Sequence, residues 1–163
     1  MKKIIKVNLF SIIFIGFILA CSFISNFIFK TIRINGPSME PTLHDGSFHQ
    51  TIRFSPIDRF DIVVATSSEK HTVIKRVIGL PNDTIEYKND TLYVNHKKVN
   101  EPYLQPLKNK HQPFTTNTQN HSHFKITLKD DEYYLLGDNR PVSKDSRTLG
   151  PFKSNQIISE LIY

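Results

Sequence analysis

A serine held at a bend and a lysine set among apolar residues are the two groups in this chain that could act as a nucleophile and its base. Ser38 lies in Asn35-Gly36-Pro37-Ser38-Met39-Glu40-Pro41-Thr42-Leu43, between a Gly-Pro bend and a Met-x-Pro-Thr run. Glycine and proline restrict the backbone in opposite ways, so the hydroxyl is fixed on an exposed turn. A serine attacks a carbonyl only when a neighbouring base takes its proton. Lys75 sits within His71-Thr72-Val73-Ile74-Lys75-Arg76-Val77-Ile78-Gly79. In strand alternation it shares a face with Val73 and Val77, while Arg76 points the other way with Ile74 and Ile78. On an apolar face an ammonium loses hydration and its pKa falls, and a neutral amine is a competent base near pH ~7–8. The other reading is a snorkelling lysine, stem packed and head in water. Spacing alone leaves both open.

A third cluster follows near the end of the chain: Gly137-Asp138-Asn139-Arg140, then Ser143, Asp145, Ser146 and Arg147. It reads either as a polar turn with a weak surface ion pair or as a buttress that fixes a base by hydrogen bonds. Rival bases are poorly placed. Neither His44 nor His71 has a triad setting, and His96, His111, His121 and His123 fall in the polar second half. His121-x-His123 lacks a carboxylate or cysteine at ligand spacing, so no metal site and no cofactor are expected. Ser67-Ser68-Glu69-Lys70 carries the Ser-x-x-Lys pattern of penicillin-recognising enzymes, but without that family's other motifs it reads as a polar hairpin loop. Cys21 is the single cysteine, so no internal disulfide staples the domain and a packed core must hold it.

The elements that position these groups follow from texture. Residues 7–29 contain no charge and are dominated by Ile, Phe, Leu and Val, close to the ~20 residues a bilayer-crossing helix needs. A cleavable signal sequence has an apolar core of only ~7–15 residues, so an uncleaved anchor is favoured here. Lys2, Lys3 and Lys6 precede this run and Lys30 and Arg33 follow it; the positive-inside rule leans toward a cytoplasmic N-terminus, residues 1–6. Without those three lysines the net charge of +6 falls to 18 basic against 15 acidic residues. The remaining charge is scattered, which argues against a nucleic-acid partner and for a lipid surface.

Beyond residue 30 the chain becomes short β-like runs between turns. Strands are expected at 31–34, 48–54, 60–66, 71–79, 84–87, 91–94, 124–128 and 133–136, with 84–87 and 91–94 a hairpin. A polar excursion runs over 105–123, and small helical or 3₁₀ pieces fit near 41–42 and 154–156. The expected fold class is mainly β: one N-terminal transmembrane helix, then an antiparallel β catalytic domain over 30–163 with a small β insertion at about 84–130. Phe48, Ile52 and Phe54 read equally well as a rim dipping into lipid or as core.

Taken together, four separated motifs resemble the bacterial type I signal peptidase (leader peptidase) family in its short Gram-positive form. They are Gly36-Pro37-Ser38-Met39-Glu40-Pro41-Thr42, Phe60-Asp61-Ile62-Val63, Lys75-Arg76-Val77-Ile78-Gly79-Leu80-Pro81-Asn82-Asp83, and the run from Gly137 to Arg147. The resemblance implies a Ser–Lys dyad in which Ser38 attacks the end of a secretory signal peptide, after a small residue, with Lys75 as base. It further implies that Ser143 orients the amine, that Asp145 and Arg147 brace that loop, and that Asp138 pairs with Arg76. The Ser38 N–H would hold the oxyanion; Gly36 stands where some relatives have a second, serine donor. Ile32, Ile34, Gly36, Met39, Leu43 and Ile74 would line the shallow substrate pockets. Asn82 replaces the family's usual glycine and would have to take its left-handed turn. The implied partners are preprotein signal peptides, the bilayer and the neighbouring export machinery, with the catalytic domain extracytoplasmic. A processing peptidase for one narrow substrate class, or an inactive paralogue that binds signal peptides, remain as alternatives.

Overall fold

The computed structural model describes residues 8–108, 114–117 and 121–162. The expected N-terminal segment 1–6, with its three lysines, lies outside the described residues, as do 109–113 (with His111) and 118–120 of the polar excursion. The chain opens with helix α1 (Leu9–Ile28), whose first turn is capped by the Asn8 side chain accepting from the Phe10 N–H. Its 20 residues span about 30 Å, matching a hydrocarbon core of about 30 Å. Nothing in the described chain covers it: Phe10, Phe17, Leu19 and Phe23 are all more than 60 % exposed. A helix apolar on every side and buried by no protein is an anchor waiting for lipid.

The helix runs without a break into β1 (Phe29–Arg33), so Phe29, at the edge of the expected anchor, is the first residue of the sheet. The remaining strands are β2 (Phe48–Ile52), β3 (Ile62–Thr66), β4 (Thr72–Gly79), β5 (Thr84–Lys88), β6 (Thr91–Val94), β7 (Lys97–Val99), β8 (His123–Thr127), β9 (Glu132–Leu136), β10 (Phe152–Lys153) and β11 (Ile157–Ile162). Seven of them form one sheet in the order β1-β2-β11-β3-β4-β9-β10, and four form a second in the order β7-β6-β5-β8; every pairing is antiparallel. The second sheet is the small β insertion, carried by the chain between β4 and β9.

Three differences from the sequence reading have local causes. Phe60 has φ +78, so the strand anticipated from residue 60 begins only at Ile62. Residues 41–42 form a turn rather than a helical piece, whereas Ser154–Gln156 is 3₁₀. β7 and β11 lie where no strand was anticipated. β7 is returned by Asn95-His96, both at positive φ, the same two-residue hairpin geometry that Asn89-Asp90 uses between β5 and β6. β11 sits in the middle of the large sheet, between β2 and β3.

The core divides where the sheets meet. Val63, Ala65, Val77, Leu135 and Phe152 pack on one side of β3–β4–β9, and Ile78, Ile85, Tyr87, Leu92, Tyr134 and Leu136 join the large sheet to the insertion. Gly79 makes that junction possible: a Cβ there would lie 2.6 Å from Leu128 Cδ1 and 2.8 Å from Ile85 Cγ1. A third cluster, Ile34, Met39, Leu43, Ile62, Val64 and Leu161 with Ile32 and Ile74 against it, carries the Ser38 turn.

Candidate active site

Ser38 is placed by its neighbours in sequence. Gly36 takes φ +87, with its N–H bonded to Asp45 Oδ1 (2.8 Å), and the buried Met39 side chain plugs the turn into the apolar cluster beneath it. Lys75 arrives from the centre of β4, opposite Val63 of β3. Its Nζ lies 2.8 Å from Ser38 Oγ and 2.9 Å from the Ile74 carbonyl oxygen. The lysine is only 4 % exposed, so it does not snorkel. Its faces are those the alternation gives: Val73 and Val77 join the Val63 cluster, while Ile74 joins that of Ile34 and Met39.

Burial pushes the Lys75 amine down from its ordinary value near 10.5 to about 8, against the opposing pull of the Asp145 and Asp138 carboxylates; Arg147 adds a smaller push downward. About one amine in ten is then neutral at pH 7, roughly 300 times the fraction for an ordinary lysine. That difference decides whether the group can act as a base at all.

The Gly137–Arg147 segment surrounds the pair. Asp138 is bidentate to Arg76, with Nε to Oδ1 at 2.9 Å and Nη2 to Oδ2 at 2.6 Å, and it also accepts from Thr42 Oγ1 at 2.5 Å. One carboxylate thus ties β4 to the Ser38 loop. Both partners of the ion pair are almost wholly buried, so removing either one costs about 3–5 kcal/mol. Asn139 closes on the same loop, its N–H to Ser38 O (3.1 Å) and its side-chain amide to Pro37 O (3.1 Å). Asp145 accepts from the Gly137 N–H (3.0 Å) and holds Arg147 through Nε and Nη2, both at 2.8 Å; Arg147 in turn donates to Arg140 O and Ser143 O. Burial would raise the Asp145 pKa, but Arg147 and the Gly137 N–H outweigh it and hold the carboxyl below its ordinary range.

Ser143 is brought to this group, its buried Oγ beside the Asp145 carboxylate, which it helps to hold below its ordinary range, but without a hydrogen bond of good geometry among the described residues. It lies against Gly137, where a Cβ would come within 2.1 Å of Ser143 Oγ and 2.5 Å of Ser38 O. The Ser38 N–H likewise has no acceptor among the described residues and is free to face an incoming oxyanion.

A cleft of about 170 Å³ opens beside Ser38 and Lys75, lined by Ile34, Met39, Val73 and Ile74 with Arg33 and Thr72 at its margin. Leu43 is buried behind that wall, Ile32 packs against the same cluster, and Gly36 flanks the turn without lining the cleft. Asn82 adopts φ +68. Ser67-Ser68-Glu69-Lys70 is the β3–β4 hairpin turn, and His44 and His71 are solvent-exposed. Sequence reasoning missed the Thr42 contact to Asp138 and gave no reason for Gly137. Each acts through a partner far away in the chain, and only a fold can supply that.

A hydroxyl and a dried amine thus stand in hydrogen-bond contact on an antiparallel β scaffold behind a membrane-length helix. The family model described as "Signal peptidase, peptidase S26" matches residues 6–163. A signal peptidase I from Streptococcus pneumoniae is 39 % identical over 164 residues, covering 82 % of this chain and 80 % of its own. A signal peptidase I from Bacillus amyloliquefaciens is 46 % identical over 140 residues, covering 82 % and 74 %. The crystal structure of a signal peptidase I from Enterococcus faecalis V583 is 34 % identical, with a TM-score of 0.58 over 66 % of this chain and 98 % of that one. The chain belongs to the signal peptidase family, peptidase S26.

Proposed function

We propose that this protein removes N-terminal signal peptides from secreted preproteins, with Ser38 as nucleophile and Lys75 as its general base. The observation that carries the reading is the 2.8 Å contact between Ser38 Oγ and the buried Lys75 Nζ. With Lys75 neutral, the Ser38 hydroxyl donates to Nζ. As Oγ bonds to the substrate carbonyl carbon, its proton passes to Nζ, and the Ser38 N–H meets the oxyanion. Collapse of the tetrahedral intermediate breaks the C–N bond, and the Lys75 ammonium gives its proton to the departing amine of the mature protein. The signal peptide is left as an ester on Ser38. Water then attacks that ester, losing a proton to Nζ, and Oγ takes the proton back as the signal peptide leaves as a free acid.

Lys75 has one N–H directed to Ile74 O, and the family resemblance gives Ser143, whose Oγ makes no bond to the amine here, the role of orienting it. Arg76, Asp138, Asp145 and Arg147 fix the two backbones that carry the dyad. The cleft of Ile34, Met39 and Ile74 admits small side chains next to the scissile bond. Gly36 has no side chain with which to add a second oxyanion donor.

In this reading the anchor holds the site at the membrane surface. Phe27 packs on Phe54 at 5.9 Å and Arg53 lies over the Phe27 ring, which seats the catalytic domain against the end of α1. A substrate whose apolar core lies in the same bilayer is met at high effective concentration. In this reading the N-terminus is cytoplasmic and the domain extracytoplasmic, working beside the export machinery. The test is cleavage of a purified preprotein by the full chain in detergent: Ser38→Ala and Lys75→Ala are expected to melt cooperatively and to leave the preprotein intact. Turnover by Ser38→Ala comparable to the parent would sink the assignment.

A further inference from the structure

The mechanism leaves one fully buried charged group unused. Arg140 is 1 % exposed, lies one turn beyond Asp138, and spends all its donors inside the protein. Its Nε donates to Gly137 O (3.1 Å), Nη1 to Tyr87 Oη (3.0 Å) and Thr115 Oγ1 (3.1 Å), and Nη2 to Glu101 Oε1 (2.5 Å), with Tyr103 Oη at 3.5 Å. Glu101 Oε1 accepts in addition from Tyr87 Oη (2.9 Å) and Tyr103 Oη (2.7 Å). Tyr87, Glu101, Tyr103 and Thr115 all belong to the insertion, and none to the large sheet.

These contacts close a circuit. From the Ser38 loop, Thr42 reaches Asp138, and Asp138 holds Arg76. The Arg76 guanidinium stacks over the Tyr103 ring at 4.1 Å, and Tyr103 bonds Glu101. Glu101 holds Arg140, whose Nε returns to Gly137 O, and Gly137 abuts both Ser38 O and Ser143 Oγ. A second strand of the same tie runs from Arg147 to Thr116 O, while Asp90 pins the Phe114 and Thr115 N–H groups.

We infer that Glu101 and Arg140 are positioning residues for the Ser38–Lys75 pair, through which the β insertion sets the placement of the Gly137–Ser143 turn. The inference rests on the dyad reading above. If the pair served only stability, exchanging it for neutral residues of similar volume would leave chemistry untouched, since buried ion pairs can be replaced without loss of fold. The discriminating variant is therefore the double exchange E101Q/R140M. It removes both charges together, keeps an acceptor for the two tyrosines and deletes the bond to Gly137 O.

The experiment measures kcat and KM for preprotein cleavage across pH, with the full chain, beside thermal melts. The expected result is a cooperative melt, a KM within about twofold of the parent and a kcat lowered about tenfold or more, as for a sub-ångström misplacement of reacting groups. The acid limb of the profile moves to higher pH, because a loosened turn readmits water to Lys75 while the charges facing it (Asp138, Asp145 and Arg147) are unchanged. A parental kcat with an unmoved limb overturns the inference, whatever the melting temperature does. Should the double exchange fail to fold, Arg140→Lys decides: it keeps a charge opposite Glu101 but deletes the Nε bond to Gly137 O, and an unchanged kcat and limb overturn the inference equally. Ser38→Ala, run in parallel, separates the two levels. If it is inert while E101Q/R140M behaves as the parent, the dyad stands and only the positioning role falls.

Discussion

Gly137→Ala adds one carbon at the tightest point of the site. Gly137 does not occupy the left-handed region, so the substitution leaves the backbone unstrained and acts by volume alone. The new Cβ would meet Ser143 Oγ at 2.1 Å, Ser143 Cβ at 2.5 Å and Ser38 O at 2.5 Å, against ordinary contacts of 3.4–4 Å. One neighbour must therefore retreat by about 1 Å. None is the free end of a flexible side chain: two belong to the short Ser143, and the third is the carbonyl of the nucleophile, held by the Asn139 N–H. Overpacking of this kind costs about 1–3 kcal/mol of stability, which a domain with intact buried ion pairs survives. The kinetic cost is larger, because a displacement of about 1 Å between reacting groups can lose ~10² in rate. The expected outcome is a folded protein with kcat on a model preprotein reduced about a hundredfold and KM little changed. Gly36→Ala makes a useful contrast, since a Cβ there meets nothing within 4 Å and only its φ of +87 is strained. Full activity in Gly137→Ala would show that the Ser38–Ser143–Gly137 contact does not govern the dyad.

Cleavage should rise with pH through about 8, where Lys75 loses its proton, and kcat/KM measured against pH reads this directly. A limb at the position of an ordinary lysine would contradict the buried-base reading. Ser143→Ala removes a buried hydroxyl that lies beside the Asp145 carboxylate without a well-formed hydrogen bond, so its melting temperature should change little. Its kcat should nevertheless drop about tenfold or more if Ser143 aims the amine, and an unchanged kcat would remove it from the site.

Spacing alone left Lys75 open between a dried amine and a snorkelling side chain, and the Ser38–Lys75 pairing came from the family motif; the fold adds their 2.8 Å contact. The Asp138–Arg76 and Asp145–Arg147 pairs followed from the family motif, not from spacing, since a polar Gly-Asp-Asn-Arg turn looks the same on a surface as at a core. Glu101 was invisible for a related reason. It stands in Asn100-Glu101-Pro102-Tyr103, which reads as loop, and its partner lies 39 positions further on. β11 was missed because Ile157-Ile158-Ser159-Glu160-Leu161 breaks the alternation expected of a strand with one wet face. The pairing with β3 shifts register between Ile157 and Ser159, and that irregularity is what the pattern recorded.

On the proposed dyad, using burial to tune Lys75 has a consequence for the rest of the domain. Lowering the Lys75 pKa from 10.5 to about 8 corresponds to roughly 3 kcal/mol of differential stability between its two protonation states. The folded state binds the proton less tightly than the unfolded chain, so below pH 8 the charged amine destabilises the fold by this full amount. The penalty is relieved as pH rises from about 8 toward 10.5. At neutral pH the penalty is therefore present, at the junction of β4 and the Ser38 loop where Lys75 lies. The Asp138–Arg76–Thr42 and Asp145–Arg147 groups stand there, and their carboxylates face Lys75. Had they lain closer, or been more exposed to one side of it, the same carboxylates would have restored the amine to its ordinary pKa and ended its use as a base. Each carboxylate is instead paired with its own arginine, and burial still outweighs the pull of both on the lysine. That division of charge allows one small domain to keep a lysine both buried and reactive.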